Sequence, residues 1–361
     1  MHRPPRKKIL FLIGSPNQTT QMHQIASELE DFDCYFSQLY YDGPLAPIYN
    51  LILRLGLLEN TIMSGHFKEK ADRYLAQHGL PNDYQAARYG NRYDLAVVCT
   101  DAVVPESILS NVKTVLVQEG MTDRLTWWSR VVKRLKLPPI LSMDTSLFGS
   151  SDNCDIYCVA SPGYKDYFAR MGTSPERIVV TGIPNFDHVQ QYLYNDFPHR
   201  NYVMVATTDM RETFRFDNRK KFIRKAADIA AGRPMLFKLH PNEKMDRAVA
   251  EIERYAPEGT LIYTEGNTNE MIANCEELIT QYSTVVYVGL ALGKKVHSYF
   301  DVAELRKCTP IQNDGKSARN IADICRQFIE FEGAGSVCGP ELGKAFLRQY
   351  QPQWHELPEP A

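Results

Sequence analysis

Nothing in the 361-residue sequence approaches a membrane span, which takes about 20 apolar residues. The basic opening, Met1 to Lys8, looks like the start of a secretion signal, but the apolar run Ile9 to Ile13 is too short to complete one. Charge of one sign is equally lacking. The 41 basic and 43 acidic residues leave −2, so no overall positive field recruits nucleic acid. The 8 cysteines are scattered, and the nearest pair, Cys154 and Cys158, has no second pair at metal spacing. That excludes a disulfide scaffold and a zinc set, and reads as reduced thiols in a cytoplasmic protein. Several nucleotide and hydrolase motifs are missing. Gly289 to Gly293-Lys-Lys has the wrong spacing for a P-loop, and no G-x-G-x-x-G follows a strand, which counts against a dinucleotide oxidoreductase. There is no G-x-S-x-G and no H-E-x-x-H. Asp31-Phe-Asp33 matches a D-x-D metal motif in form, but it precedes a strand and reads as a loop. No obligatory metal and no cofactor is expected.

What is present is a globular composition, 44% apolar and 23% charged, at a length that suits two domains. Short β-branched runs alternate with amphipathic stretches. Strands are expected at Lys8–Ile13, Cys34–Phe36, Asp94–Cys99, Thr114–Val117, Asp155–Val159 and Arg177–Thr181. The pattern then restarts with strands at Tyr202–Ala206, Met235–Leu239, Thr260–Tyr263, Glu277–Thr280 and Lys295–Tyr299. Helices are expected near 217–231, 244–255, 284–292 and 318–330. This alternation predicts α/β architecture with parallel sheets covered on both faces. Tyr192 to Asn201, polar and containing Pro198, reads as a linker. The predicted organisation is two doubly wound, Rossmann-like domains, 1–195 and 196–335, facing across a cleft. A C-terminal helix and tail, 336–361, would pack back on the first domain, with Gln351 to Ala361 loosely ordered. Ligands of such sheets bind at the carboxyl ends of the strands.

Candidate site residues lie at those ends. In Phe237-Lys-Leu-His-Pro-Asn-Glu243, His240 closes a strand and Pro241 turns the chain out of the sheet. The ring either serves a phosphate or a proton, or caps a backbone carbonyl. Ser283 and Thr284 stand between a strand and a helix; one is expected to cap the helix, with both hydroxyls facing a diphosphate at its N-terminus. Arg211 is a phosphate partner and Glu212 an orienting group, unless the two form an ordinary surface pair. Asp101 and Glu119, each at a strand end in the first half, are general-base candidates. Gly14 and Asn17 belong to a tight turn ahead of a helix, suited to acceptor or phosphate contact.

Arg124 to Lys136 sets Leu125, Trp128, Val132 and Leu135 along one face, with Arg130, Lys133, Arg134 and Lys136 largely off it. Such a helix can lie on an anionic membrane. The preferred reading is a core-packed helix with a solvated basic face.

The order of these motifs resembles the nucleotide-sugar branch of the GT-B architecture, and within it the UDP-N-acetylglucosamine 2-epimerases. Ile9-Leu-Phe-Leu-Ile-Gly-Ser15 looks like their opening strand and glycine turn, and Val117-Gln-Glu-Gly120 resembles their V-E-A-G loop. Val180-Thr-Gly-Ile-Pro184, followed by Asp187, is similar to V-T-G-N. Thr208 to Phe214 looks like H-R-R-E-N-F at Arg211, Glu212 and Phe214, and His240-Pro-Asn242 corresponds to H-P-N. There are departures. Pro16-Asn-Gln18 stands where the epimerases carry R-P-E, and Asp209 where they carry histidine. Gln281-Tyr-Ser-Thr284 replaces S-D-S-G-G-x-x-E-E and looks more like the D-Y-S-S loop of CDP-glycerol glycerophosphotransferases and capsule transferases.

The resemblance implies a transferase that moves a sugar, or a polyol phosphate, from a nucleotide-activated donor to a cell-surface glycan acceptor. Glu119, the counterpart of a catalytic carboxylate, or Asp101 would deprotonate the acceptor hydroxyl, with His240, Ser283, Thr284 and Arg211 on the donor diphosphate. The alternatives are a 2-epimerase using Asp101 and Glu119, and an inactive nucleotide-sugar binding protein. The expected partners are a nucleotide-sugar donor and a glycan or lipid-linked acceptor, with no nucleic acid. The expected place is the cytoplasm, with membrane contact at its inner face through residues 124–136.

Overall fold

The computed structural model describes residues 5–350 except 45, 56–64, 91, 136, 138, 143, 213, 214 and 334–337. Lys136, Phe214 and the tail from Gln351 lie outside the described residues.

Each strand read from the sequence takes its place in one of two parallel sheets. The first contains β1 (Lys8–Ile13), β2 (Asp33–Gln38), β3 (Leu95–Val98), β4 (Lys113–Val117), β5 (Ile156–Val159) and β6 (Ile178–Val180), in the order β2-β1-β3-β4-β5-β6. The second contains β7 (Val203–Ala206), β8 (Met235–Lys238), β9 (Leu261–Tyr263), β10 (Glu277–Thr280) and β11 (Lys295–His297), in the order β11-β10-β7-β8-β9. The central strands are unbroken apolar runs because helices cover both of their faces: Ile9 to Ile13 and Leu95 to Val98 are fully buried. Each order reverses once, between β1 and β3 in the first sheet and between β7 and β10 in the second. At such a reversal the flanking loops part and leave room for a ligand.

The chain divides into two units, 1–187 with 313–361, and 188–312. This differs from the boundaries read from the sequence, which ran the second domain from 196 to 335. The helix Ser317–Glu330 accounts for most of the difference. Its apolar stripe, Ile321, Ile324, Cys325 and Phe328, packs into one core with Ile9, Phe11 and Val97 of the first sheet. Lys113 at the start of β4 fixes the far end of that helix, its Nζ donating to the carbonyls of Phe328, Ile329 and Phe331 at 2.9, 3.1 and 2.7 Å. A cation is favourable there because the last carbonyls of a helix lack partners and carry partial negative charge. Asp187 accepts from the Ser317 amide at 2.6 Å, closing the return. At the other boundary, Val189 belongs with the second unit, its amide donating to Gln312 Oε1 at 3.1 Å.

The helix Pro340–Gln349 adds Leu342 and Phe346 to the first core. It approaches β5 so closely that a Cβ on Gly343 would lie 1.9 Å from the Asp155 carbonyl oxygen. Gly343→Ala is therefore expected to lower stability by about 1–3 kcal/mol through overpacking, despite better helix propensity. A drop in the urea midpoint at constant slope checks this.

In the second unit Glu277, nearly buried at the start of β10, accepts from Arg233 Nη1 at 2.8 Å and Lys295 Nζ at 3.3 Å, and pairs with His297 Nε2 at 2.8 Å. Burial alone would raise its pKa, but His297, Arg233 and Lys295 outweigh it and hold the carboxyl at about 2, against 4.5 ordinarily. A lowered folded-state pKa stabilises above the unfolded value and loses that contribution as pH falls through the folded one. Glu277→Gln should cost about 2 kcal/mol at neutral pH. In urea titrations the gap to wild type should be less than half as large near pH 3 (about one unit above the folded pKa).

Candidate functional site

In the first unit, the turn after β1 leads into the helix Pro16–Ser27. Ser15 caps it in a reciprocal box: Ser15 Oγ accepts from the Gln18 amide at 3.1 Å, and the Ser15 amide donates to Gln18 Oε1 at 2.9 Å. The same two side chains reach Glu119, two residues beyond β4. Ser15 Oγ donates to its Oε1 and Gln18 Nε2 to its Oε2, both at 2.7 Å. Both donors are neutral. Burial raises the Glu119 pKa, and the two hydrogen bonds only moderate the rise. A carboxylate held in place without a cation is poised to take a proton.

Asp101 has a different role. It is 2% exposed, and its oxygens accept from the Gly149 amide at 2.7 Å and the Ser151 amide at 2.9 Å, while Ser151 Oγ donates to its carbonyl at 3.1 Å. It anchors the 149–151 loop. Gly14 is buried at the exit of β1. Asn17 is exposed in the first helical turn, its carbonyl accepting from Asn185 Nδ2 at 3.0 Å.

In the second unit a buried polar cluster ties together the loops after β7, β8 and β10. Arg219, 3% exposed, donates from Nη2 to Glu243 Oε1 at 2.5 Å and to the Thr208 carbonyl at 3.1 Å, and its Nε lies 3.0 Å from Asp217 Oδ2. Gln281 donates to Asp217 at 2.8 Å and accepts from Thr208 Oγ1 at 3.0 Å, bridging β7 and β10 at the reversal of strand order. Glu243 Oε2 accepts from the His240 amide at 3.0 Å and from the Thr207 hydroxyl, and Thr207 Oγ1 accepts from the His240 amide at 3.1 Å. The backbone of His240 is thus fixed from beneath. Its ring is one-third exposed, and Nδ1 accepts from the Asn242 amide at 3.2 Å. A neutral ring accepting at Nδ1 must carry its proton on Nε2, which becomes the donor.

The other candidates of this unit separate. Arg211 donates both terminal nitrogens to Glu251, at 2.8 and 2.7 Å, and Glu212 accepts from the Lys244 amide at 3.3 Å and from Arg247. These side chains fasten the loop after β7 to the helix Met245–Tyr255. Thr284 sits at the N-cap of the helix Val285–Ala291 in helical conformation, and its hydroxyl makes no capping bond. Contrary to expectation it leaves that helix uncapped. Ser283 and Thr284 are both half-buried beside Gln281. Among the described residues no group of three or more His, Cys, Asp or Glu is placed to hold a metal ion.

Ser15, Gln18, Thr207, Asp217, Arg219, Glu243 and Gln281 were not singled out from the sequence. The S-x-x-Q spacing of Ser15 and Gln18 is a capping-box signature that could have found the first pair. The buried cluster joins residues far apart in the chain and leaves no such spacing.

Together these features define the GT-B class of fold, two Rossmann-like units in one chain. The chain is similar to three solved structures, two of which carry the name UDP-N-acetylglucosamine 2-epimerase and one of which is MnaA with UDP. Against MnaA of S. aureus with UDP the TM-score is 0.56 at 12% identity, covering 90% of this chain and 97% of that one. Against UDP-GlcNAc 2-epimerase of Neisseria meningitidis with UDP-GlcNAc it is 0.54 at 11%, covering 88% and 99%. Against a putative UDP-N-acetylglucosamine 2-epimerase of Listeria monocytogenes it is 0.52 at 13%, covering 92% and 99%. No family model and no curated protein matches the sequence.

Replacing Arg219 with Met would leave Glu243 buried without its cation and Asp217 with Arg211 alone, 3.8 Å away. A loss of about 3–5 kcal/mol is expected, read as a lower unfolding midpoint than that of the exposed-site control Lys221→Met.

Proposed function

We propose that the protein is a transferase that moves a sugar, or a polyol phosphate, from a nucleotide-activated donor to a hydroxyl of a cell-surface glycan precursor. The observation that carries this reading is the unequal use of the two strand-end carboxylates. Epimerisation by proton transfer and elimination would call on both Asp101 and Glu119. Transfer needs one base, and Asp101 is committed to the amides of Gly149 and Ser151. Glu119, held by Ser15 and Gln18, is the base in this reading.

Glu119 takes the proton of the acceptor hydroxyl as that oxygen attacks the anomeric carbon. The bond from that carbon to the phosphate oxygen breaks, and the nucleoside diphosphate leaves. For a polyol phosphate the attack falls on phosphorus and a nucleoside monophosphate leaves. In the second unit His240, through Nε2–H, with Ser283 and Thr284, donates to the phosphate oxygens where charge develops. The similar structures that hold UDP and UDP-GlcNAc support a uridine diphosphate sugar as donor.

Glu119→Gln should reduce kcat by about 10²–10⁴. The acid limb of wild-type kcat/KM should lie above 4.5, because burial raises the base's pKa and its protonated form cannot accept. His240→Ala should lose turnover with a nearly unchanged thermal midpoint, since its ring is one-third exposed and its polar neighbours at Nδ1 are the Asn242 amide and, at 3.7 Å, Asp209. The likeness in fold to 2-epimerases favours a second reading, which UDP-N-acetylglucosamine supplied alone separates. Conversion without an acceptor overturns transfer in favour of epimerisation. Saturable nucleotide binding with no turnover against any donor and acceptor pair leaves an inactive binding protein.

A further inference from the structure

The helix Trp127–Arg134 does not pack as the sequence led us to expect. Thr126 and Ser129 cap it reciprocally, and Val132 is buried against Leu147 and Met171. These contacts fix its rotation. With Val132 inward, 3.6 residues per turn put Trp127, Arg130 and Arg134 about 150° away, on the outer face. Trp127 is 75% exposed and Leu135 62%. Trp128 is exposed as well, its indole N–H donating to the Leu141 carbonyl at 2.9 Å. Leu137 and Leu141 continue the apolar surface, so that large apolar side chains gather outside the core between residues 127 and 141. Such a concentration on a water-facing helix marks an interaction surface.

Its charge says what kind. From Arg124 to Leu135 the sequence holds Arg124, Arg130, Lys133 and Arg134 and no Asp or Glu. Lys133 Nζ donates to the Met171 carbonyl at 2.5 Å, which leaves the outer-face pair Arg130 and Arg134 as the main cations offered. A second copy would set like charges against one another. A nucleic acid would use the cations, and unpaired bases could stack on an indole, but it would leave the leucine side chains in water. A bilayer with anionic headgroups matches both, cations on the phosphates and Trp and Leu at the acyl boundary.

We propose that residues 124–135 dock the protein onto an anionic lipid surface. Among the described residues no helix is long and apolar enough to cross a membrane, so the contact is peripheral. It is independent of the chemistry proposed above.

Co-sedimentation of the full chain with vesicles tests it, using phosphatidylcholine alone and phosphatidylcholine with phosphatidylglycerol. The Trp354→Phe background leaves Trp127 and Trp128 as the only fluorophores of their kind. Sedimentation with the anionic vesicles only, a blue shift of Trp emission and release by salt are expected. Trp127→Ala with Leu135→Ser should weaken binding at least tenfold, and Arg130→Glu with Arg134→Glu by more than fivefold for each charge removed. The thermal shift with UDP should be unchanged in both variants. No sedimentation, or sedimentation that neither variant weakens, overturns the proposal. Equal binding to heparin without a blue shift overturns it in favour of a polyanion surface. A dimer in vesicle-free solution that Trp127→Ala dissolves overturns it in favour of self-association.

Discussion

The second unit depends on one buried guanidinium. Arg219 stands between Glu243 and Asp217, and through them reaches His240, Thr207 and Gln281. Bringing three charges out of water is expensive, and the cost is tolerable only because every charge has an opposite neighbour and further hydrogen bonds. The result is positional. Loops from three strands are joined at their roots. A histidine whose backbone is held twice keeps its ring in one place, as an electrostatic contact to a phosphate requires. In the first unit, by contrast, Glu119 is positioned by neutral groups, and burial raises its proton affinity.

The sheets were legible because their central strands are continuous apolar runs bounded by turns, a signal that survives without any knowledge of neighbours. Strand ends could therefore be found, and with them Glu119, His240, Ser283 and Thr284. What each side chain does there was less legible. Asp101 and Glu119 look alike in sequence, both following a strand. Only the fold shows that one meets two loop amides and the other a hydroxyl and a carboxamide. The pairing of Arg211 and Glu212 is illegible in the sequence for a related reason. Their partners, Glu251 and Arg247, lie one helix further on, and nothing in the local pattern names them.

The boundary between the units was misread because amphipathicity does not say which sheet a helix covers. Ser317–Glu330 has the stripe expected of a Rossmann helix and follows the last strand of the second sheet directly. It nonetheless packs on the first. The helix Trp127–Arg134 shows the opposite failure. Its periodic apolar residues suggested a buried face, but the inward side is carried by Val132 and Ser129, and the tryptophans are left outside.

The return of the chain at Asn313 makes the first unit from two separated stretches, with 188–312 inserted between them. Synthesis from the N-terminus therefore delivers all of the second unit before the first can complete its core, because Ile321, Phe328, Leu342 and Phe346 emerge last. Until then Ile9, Phe11 and Val97 lack their cover. Removing the final stretch would not trim an appendage; it would uncover the face of the opening sheet.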